Sequence, residues 1–243
     1  MEKHFDFGKT IAAQVVKIIY VRSSLMIIRV NNIDLFYEKS GNGKPLILLH
    51  GNGEDHHIFD KISEKLRQDY TLYAIDSRNH GQSVKTNDYS YDTMAEDIYC
   101  FIRELDLEKV HIIGFSDGAI ISLILAMKHS EILDKMALLG VNLKPDDFTD
   151  ESYQFIKETY EETKDPLFKL MLEQPNIELD DVRNIKVSVL LVAAENDIYR
   201  PELFEQLAEA LPNAVLKIMK GHGHDSYIVN QDILYSDFHK FFD

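Results

Sequence analysis

Short apolar runs alternate along this chain with stretches where apolar side chains return every three or four residues. Leu46 to His50 is a continuous apolar run of the buried-strand type. Tyr70 to Asp76, Val110 to Phe115, Lys135 to Gly140, Val187 to Ala193 and Ala214 to Met219 predict further strands. Between them, Ile58, Ile62 and Leu66, and later Met94, Ile98, Phe101 and Leu105, fall on single helical faces. Ile120 to Met127 is apolar on nearly all sides, as a helix packed deep against a sheet should be. Ahead of these, Met26 to Val30 and Ile33 to Lys39 predict a strand pair turning at Asn31-Asn32. Pro201 to Leu211 predicts a helix with proline in its first turn, and Ser226 to Phe242 a closing helix. Strands alternating with helices after His50 demand an α/β fold, a mostly parallel sheet with helices on both faces.

The alternation stops from Lys144 to Arg183, where two helical patterns are split at Asp165-Pro166, because proline disfavours helix at the residue before it. This segment, about 144–184, reads as a helical insertion over the sheet. Residues 26–243 then form one domain, a size common for single α/β domains. Residues 1–25 are an N-terminal extension without a motif, in which Ile11, Val15 and Ile18 share a helical face.

Charge narrows the functional classes. A formal net charge of −15 leaves no general basic footprint for nucleic acid. Lys17, Arg22 and Arg29 interrupt the apolar stretch from Ile11 to Val30, so it predicts neither a membrane span nor a signal-peptide core. Cys100 is the lone cysteine, which rules out an internal disulfide and fits a cytoplasmic protein. The histidines show no metal-ligand spacing: His56-His57 are adjacent, and His222-x-His224 has only Asp225 beside it. Loop and packing roles are expected for them, and no metal.

The chemistry concentrates at Gly114-Phe115-Ser116-Asp117-Gly118, where an apolar strand breaks directly into a helix. Gly-x-Ser-x-Gly in that context reads as a nucleophile elbow, a tight turn that lifts the serine hydroxyl clear of the sheet. A serine hydroxyl needs a base, and the base needs an orienting acid. His224, in Gly221-His222-Gly223-His224 past the last strand, is the expected base, with His222 as its rival. Asp197, leaving the preceding strand, is the expected acid, with Glu195 and Asp146 as competitors and a helix-capping role as the plain alternative. The backbone N–H groups of Asn52, in His50-Gly51-Asn52-Gly53, and of Asp117 are the expected oxyanion donors.

The order Ser, Asp, His is that of α/β-hydrolase triads. From about Ile33 onward the chain resembles the α/β-hydrolase superfamily, on His50-Gly51, Arg78 to Ser83, Gly114 to Gly118, Asp197 and His224. The resemblance implies an eight-stranded sheet with mainly its second strand antiparallel, a lid at the Lys144–Arg183 insertion, and no cofactor. Asn79, Ala194, Ser188 and His222 depart from the common pattern, Ala194 standing where glycine often precedes the acid.

The Ser116-Asp117-Gly118 elbow is similar to that of small serine esterases of the valacyclovir-hydrolase type. The resemblance implies a hydrolase that cleaves a small carboxylic ester through an acyl-enzyme on Ser116. The same triad could instead act on a thioester, an amide, a peracid or a carbon–carbon bond, and a binding protein that kept the fold without turnover is the reading from another class. Asp117's carboxylate, beneath an insertion carrying twelve acidic and five basic residues, could receive a cationic group of the substrate or simply cap the helix. Tyr153 and Tyr160 are expected to line the substrate pocket. The partner is a small molecule, and the sequence leaves the oligomeric state open.

Overall fold

A computed structural model describes residues 24–243. The helical face at Ile11, Val15 and Ile18, and nearly all of the expected extension, lie outside these residues. Eight strands form one sheet: β1 (Ser24–Val30), β2 (Ile33–Gly41), β3 (Lys44–Leu49), β4 (Tyr70–Ile75), β5 (Val110–Phe115), β6 (Leu133–Leu139), β7 (Ser188–Asn196) and β8 (Ala214–Gly223). Their order is β1-β2-β4-β3-β5-β6-β7-β8. Only β2 runs against its neighbours, pairing antiparallel with both β1 and β4, and every other pair is parallel.

The helices are α1 (Asp60–Leu66), α2 (Tyr91–Glu104), α3 (Asp117–His129), α4 (Asp150–Thr163), α5 (Pro166–Glu173), α6 (Leu179–Val182), α7 (Pro201–Ala210) and α8 (Tyr235–Phe242). Continuous apolar runs are required because both sheet faces are covered, so successive side chains enter different cores. On β3, Ile47 and Leu49 pack with Met94 and Phe101 of α2 and Ile120 and Ile124 of α3. Leu46 and Leu48, pointing the other way, pack with Ile62 and Leu66 of α1 and Phe238 and Phe242 of α8.

Several boundaries differ from the sequence reading. β1 begins at Ser24 rather than Met26, extending the pairing to Ser24 opposite Lys39. β8 runs past Met219 to Gly223, with a register shift against β7 between Ala194 and Asn196. The expected closing helix from Ser226 is helical only from Tyr235, because Ser226 and the residues after it form turns in which Ile228 and Val229 donate to the Asp225 carbonyl. Between β6 and β7, α4 and α5 meet at the anticipated Asp165-Pro166 break, where Asp165 caps α5 by accepting from the Leu167 N–H. The short α6 has no counterpart among the helical patterns of the sequence. Among the described residues, no helix is long and apolar enough to cross a membrane.

Candidate active site

The carboxyl ends of five neighbouring parallel strands converge on one place. β3 delivers His50 to Gly53, β5 delivers Ser116, β6 delivers Gly140, β7 delivers Asp197 and β8 delivers His224. Open α/β sheets bind their ligands at this edge.

Ser116 sits between β5 and α3 at φ 51°, ψ −114°, a conformation that costs a non-glycine residue of order 1–3 kcal/mol. Its N–H donates to the Leu139 carbonyl at 2.8 Å, and its own carbonyl accepts from Ala119 and Ile120 as α3 begins. The turn can be this tight because position 118 has no side chain: a Cβ there would lie 2.1 Å from the Leu49 carbonyl oxygen. The Gly118 N–H instead donates to the His50 carbonyl, fastening the start of α3 to the loop after β3.

The Ser116 hydroxyl lies 3.1 Å from His224 Nε2. His224 Nδ1 lies 2.7 Å from Asp197 Oδ1, in a pair where the Asp197 side chain is 2% exposed. Asp197 is held in turn, its two oxygens accepting from the Ile198 and Ala194 N–H groups. Alanine at 194 therefore supplies the N–H that anchors the acid. Gly140, at φ 57°, makes room for the imidazole, since a Cβ there would stand 2.6 Å from His224 Cε1. The edge of the buried Tyr199 ring closes the other side, its centroid 5.3 Å from that of His224.

The rivals lie elsewhere. His222 turns to Ser226, Nδ1 to Oγ 3.0 Å. The Glu195 carboxylate accepts from the Gly221 N–H, and Asp146 lines an outer groove with Phe148 and Arg200.

Neither the Asn52 nor the Asp117 backbone N–H has an acceptor among the described residues. The Asp117 N–H is one of the free donors at the start of α3. The Asp117 carboxylate does not cap that helix. One oxygen accepts from the Tyr91 hydroxyl at 2.7 Å and the other from Asn52 Nδ2 at 3.0 Å. Burial raises the Asp117 carboxyl above its usual range, with the Tyr91 hydrogen bond opposing the shift. Both oxygens are thus engaged within the protein, and the carboxylate joins the two residues whose N–H groups are free. Asn52 Nδ2 also reaches the Leu167 carbonyl in the first turn of α5, at 3.3 Å.

Sequence periodicity gave no sign of Tyr91, Tyr199 or Glu54. Tyr91 opens α2 as part of its buried face, indistinguishable from packing until the fold brings it against α3. The Glu54 carboxylate accepts from the Gly51 N–H at 2.9 Å, and burial pushes it up to about 7. The expected pocket tyrosines lie on α4. Tyr153 is exposed and lines the groove with Asp146 and Arg200, and the ring of Tyr160 lies under the Lys164 ammonium. Both stand on the face of α4 that carries its buried residue, Ile156.

Residues 44–167 match the family model described as alpha/beta hydrolase fold. The AB hydrolase superfamily protein YisY of Bacillus subtilis is 35% identical over 112 residues, 45% of this chain and 42% of that protein, so the chain spans less than half of it. A Haemophilus influenzae protein named "Putative esterase/lipase" is 24% identical over 222 residues, covering 75% of this chain and 77% of that one. Among solved structures, naproxen esterase of Bacillus subtilis superposes with a TM-score of 0.77 at 18% identity, covering 92% of this chain and 93% of the esterase.

Proposed function

The chain belongs to the α/β-hydrolase fold family, and from that premise we propose that it is a serine hydrolase cleaving a small carboxylic ester. The observation that carries this reading is the hydrogen-bonded series Ser116, His224, Asp197 at the edge of the sheet. Ser116 Oγ attacks the ester carbonyl while His224 Nε2 takes its proton. Asp197 fixes the imidazole tautomer with Nδ1–H toward the carboxylate and stabilises the imidazolium that forms. The carbonyl oxygen, now an oxyanion, receives the free N–H groups of Asn52 and Asp117. The protonated His224 gives its proton to the departing alkoxide, leaving an acyl-enzyme on Ser116. Water, deprotonated by His224, then releases the acid and restores the serine.

In this reading Asp117 is a positioning residue: its carboxylate sets the distance between the two oxyanion donors through the Asn52 side chain. The helices between β6 and β7 form a lid, and α5 touches the same Asn52 through the Leu167 carbonyl.

The test is labelling with a tagged fluorophosphonate followed by peptide mass spectrometry, together with turnover of a panel of short-chain esters. A single adduct on Ser116 is expected, and Ser116→Ala should keep the fold and lose at least about three orders of magnitude in turnover. A folded parent that takes no label and hydrolyses no ester overturns the reading.

A further inference from the structure

The turn that presents the Asn52 N–H is held by a side chain outside the triad. Gly51 to Glu54 form a reverse turn, closed by the Glu54 N–H donating to the Gly51 carbonyl at 3.3 Å, with Gly53 at the positive φ of 72° that glycine supplies at the third position of such a turn. The Glu54 side chain folds back over this turn, and its Oε2 accepts from the Gly51 N–H at 2.9 Å. Glu54 therefore grips Gly51 twice, by its backbone on the carbonyl and by its carboxyl on the N–H. The carboxyl also fills the space that a side chain at 51 would need: a Cβ there would stand 2.7 Å from Glu54 Oε2 and 3.2 Å from the Phe115 ring.

Two successive peptide planes are fixed in this way. The plane joining His50 to Gly51 has its N–H on the Glu54 carboxyl and its carbonyl on the Gly118 N–H at the start of α3. In the plane joining Gly51 to Asn52, the carbonyl accepts from the Glu54 N–H and from His50 Nδ1, 2.8 Å away. That nitrogen carries the proton, because His50 Nε2 accepts from the Ser77 N–H. A peptide is planar and trans, so the Asn52 N–H must point away from the held carbonyl. Its direction follows from the grip on Gly51. Burial pushes the Glu54 carboxyl up to about 7 even though the Gly51 hydrogen bond and His224 favour its charge, so the fold keeps this group at a cost in stability. The backbone alone closes the turn, and what the carboxyl adds is its hold on the first plane. On the serine-hydrolase reading, in which the Asn52 N–H is an oxyanion donor, we propose that Glu54 is a positioning residue whose carboxyl aims that N–H by clamping the peptide planes ahead of it.

The test is steady-state turnover of a short-chain ester together with inhibition by phenylboronic acid, whose boron bonds to the serine oxygen in a tetrahedral adduct with one oxygen in the oxyanion position. Glu54→Ala removes the acceptor, and Glu54→Leu removes it while keeping bulk over the turn. Both should lower kcat at least about tenfold with KM within about twofold of the parent. The inhibition constant for the boronic acid should rise by the factor by which kcat falls, because both read the oxyanion donors. Glu54→Gln, whose amide oxygen accepts from the same N–H, should recover kcat to within about threefold of the parent. A fall in kcat with an unmoved inhibition constant reports a smaller folded fraction and overturns the proposal. Alanine and leucine variants within about twofold of the parent in both constants overturn it too, as does a glutamine variant no better than alanine. Where the parent turns over esters, such results strike the role of Glu54 alone. A parent that takes no fluorophosphonate label and hydrolyses no ester strikes the serine-hydrolase reading and this role with it.

Discussion

His224 and His222 are two residues apart on one strand end, yet only one meets the serine. In the proposed mechanism, truncating the imidazole that lies 3.1 Å from Ser116 removes the base, whereas truncating its neighbour removes a contact to Ser226. His224→Ala should therefore lose about three orders of magnitude in kcat and His222→Ala less than tenfold, measured on any ester that the parent turns over.

Glu54 gives a prediction about pH. Its ordinary value of 4.5 applies to the unfolded chain, and burial raises it to about 7 in the fold. Between those values the folded state holds a proton that the unfolded state has released, so stability falls as pH rises through this window and levels off above it. Glu54→Gln removes that slope. In melting curves across the range, the variant should exceed the parent above pH 7, and the advantage should vanish below pH 4.5.

At the scale of elements, the site depends on how α2 and α3 are held against the loop after β3. The Tyr91 hydroxyl, the Asp117 carboxylate and the Asn52 amide form one row of hydrogen bonds linking all three. Tyr91→Phe deletes one bond and leaves the ring packed. It should lower kcat by roughly tenfold and move KM little, the pattern expected when oxyanion donors lose their alignment and substrate contacts stay intact.

The same row marks where sequence reading stops. Ser116 stands directly after an apolar run and Asp197 and His224 within five residues of the ends of two others, so strand-by-strand reading puts them at one sheet edge. Tyr91 and Glu54 carry no such flag, because a tyrosine on a helix's apolar face and a glutamate in a loop look the same whether or not they face a serine.

Across the whole molecule, alternation of strand and helix is enough to demand a two-faced parallel sheet, because runs such as Leu46 to Leu49 need cover on both sides. It does not by itself give the order of strands. That β2 lies beyond β4, and runs against it, follows from pairing between distant segments. The edge strand β1 contributes little buried surface near its beginning, where Leu25 and Ile27 are exposed. A chain starting at Met26 should therefore fold and keep its activity, with a melting temperature within a few degrees of the full chain, as calorimetry and ester turnover can check.

The bend at Ser116 also sets durability against chemistry. Glycine takes φ 51° at far less cost than serine, although it adds freedom to the unfolded chain. Ser116→Gly should thus be inert and yet melt about 2–4 °C higher than the parent, for a net gain of about 1 kcal/mol in a chain of this size. Ser116→Ala, which keeps the strained bend, should gain nothing. The working protein is then less stable than its own inactive variant, and selection for persistence alone would discard the serine.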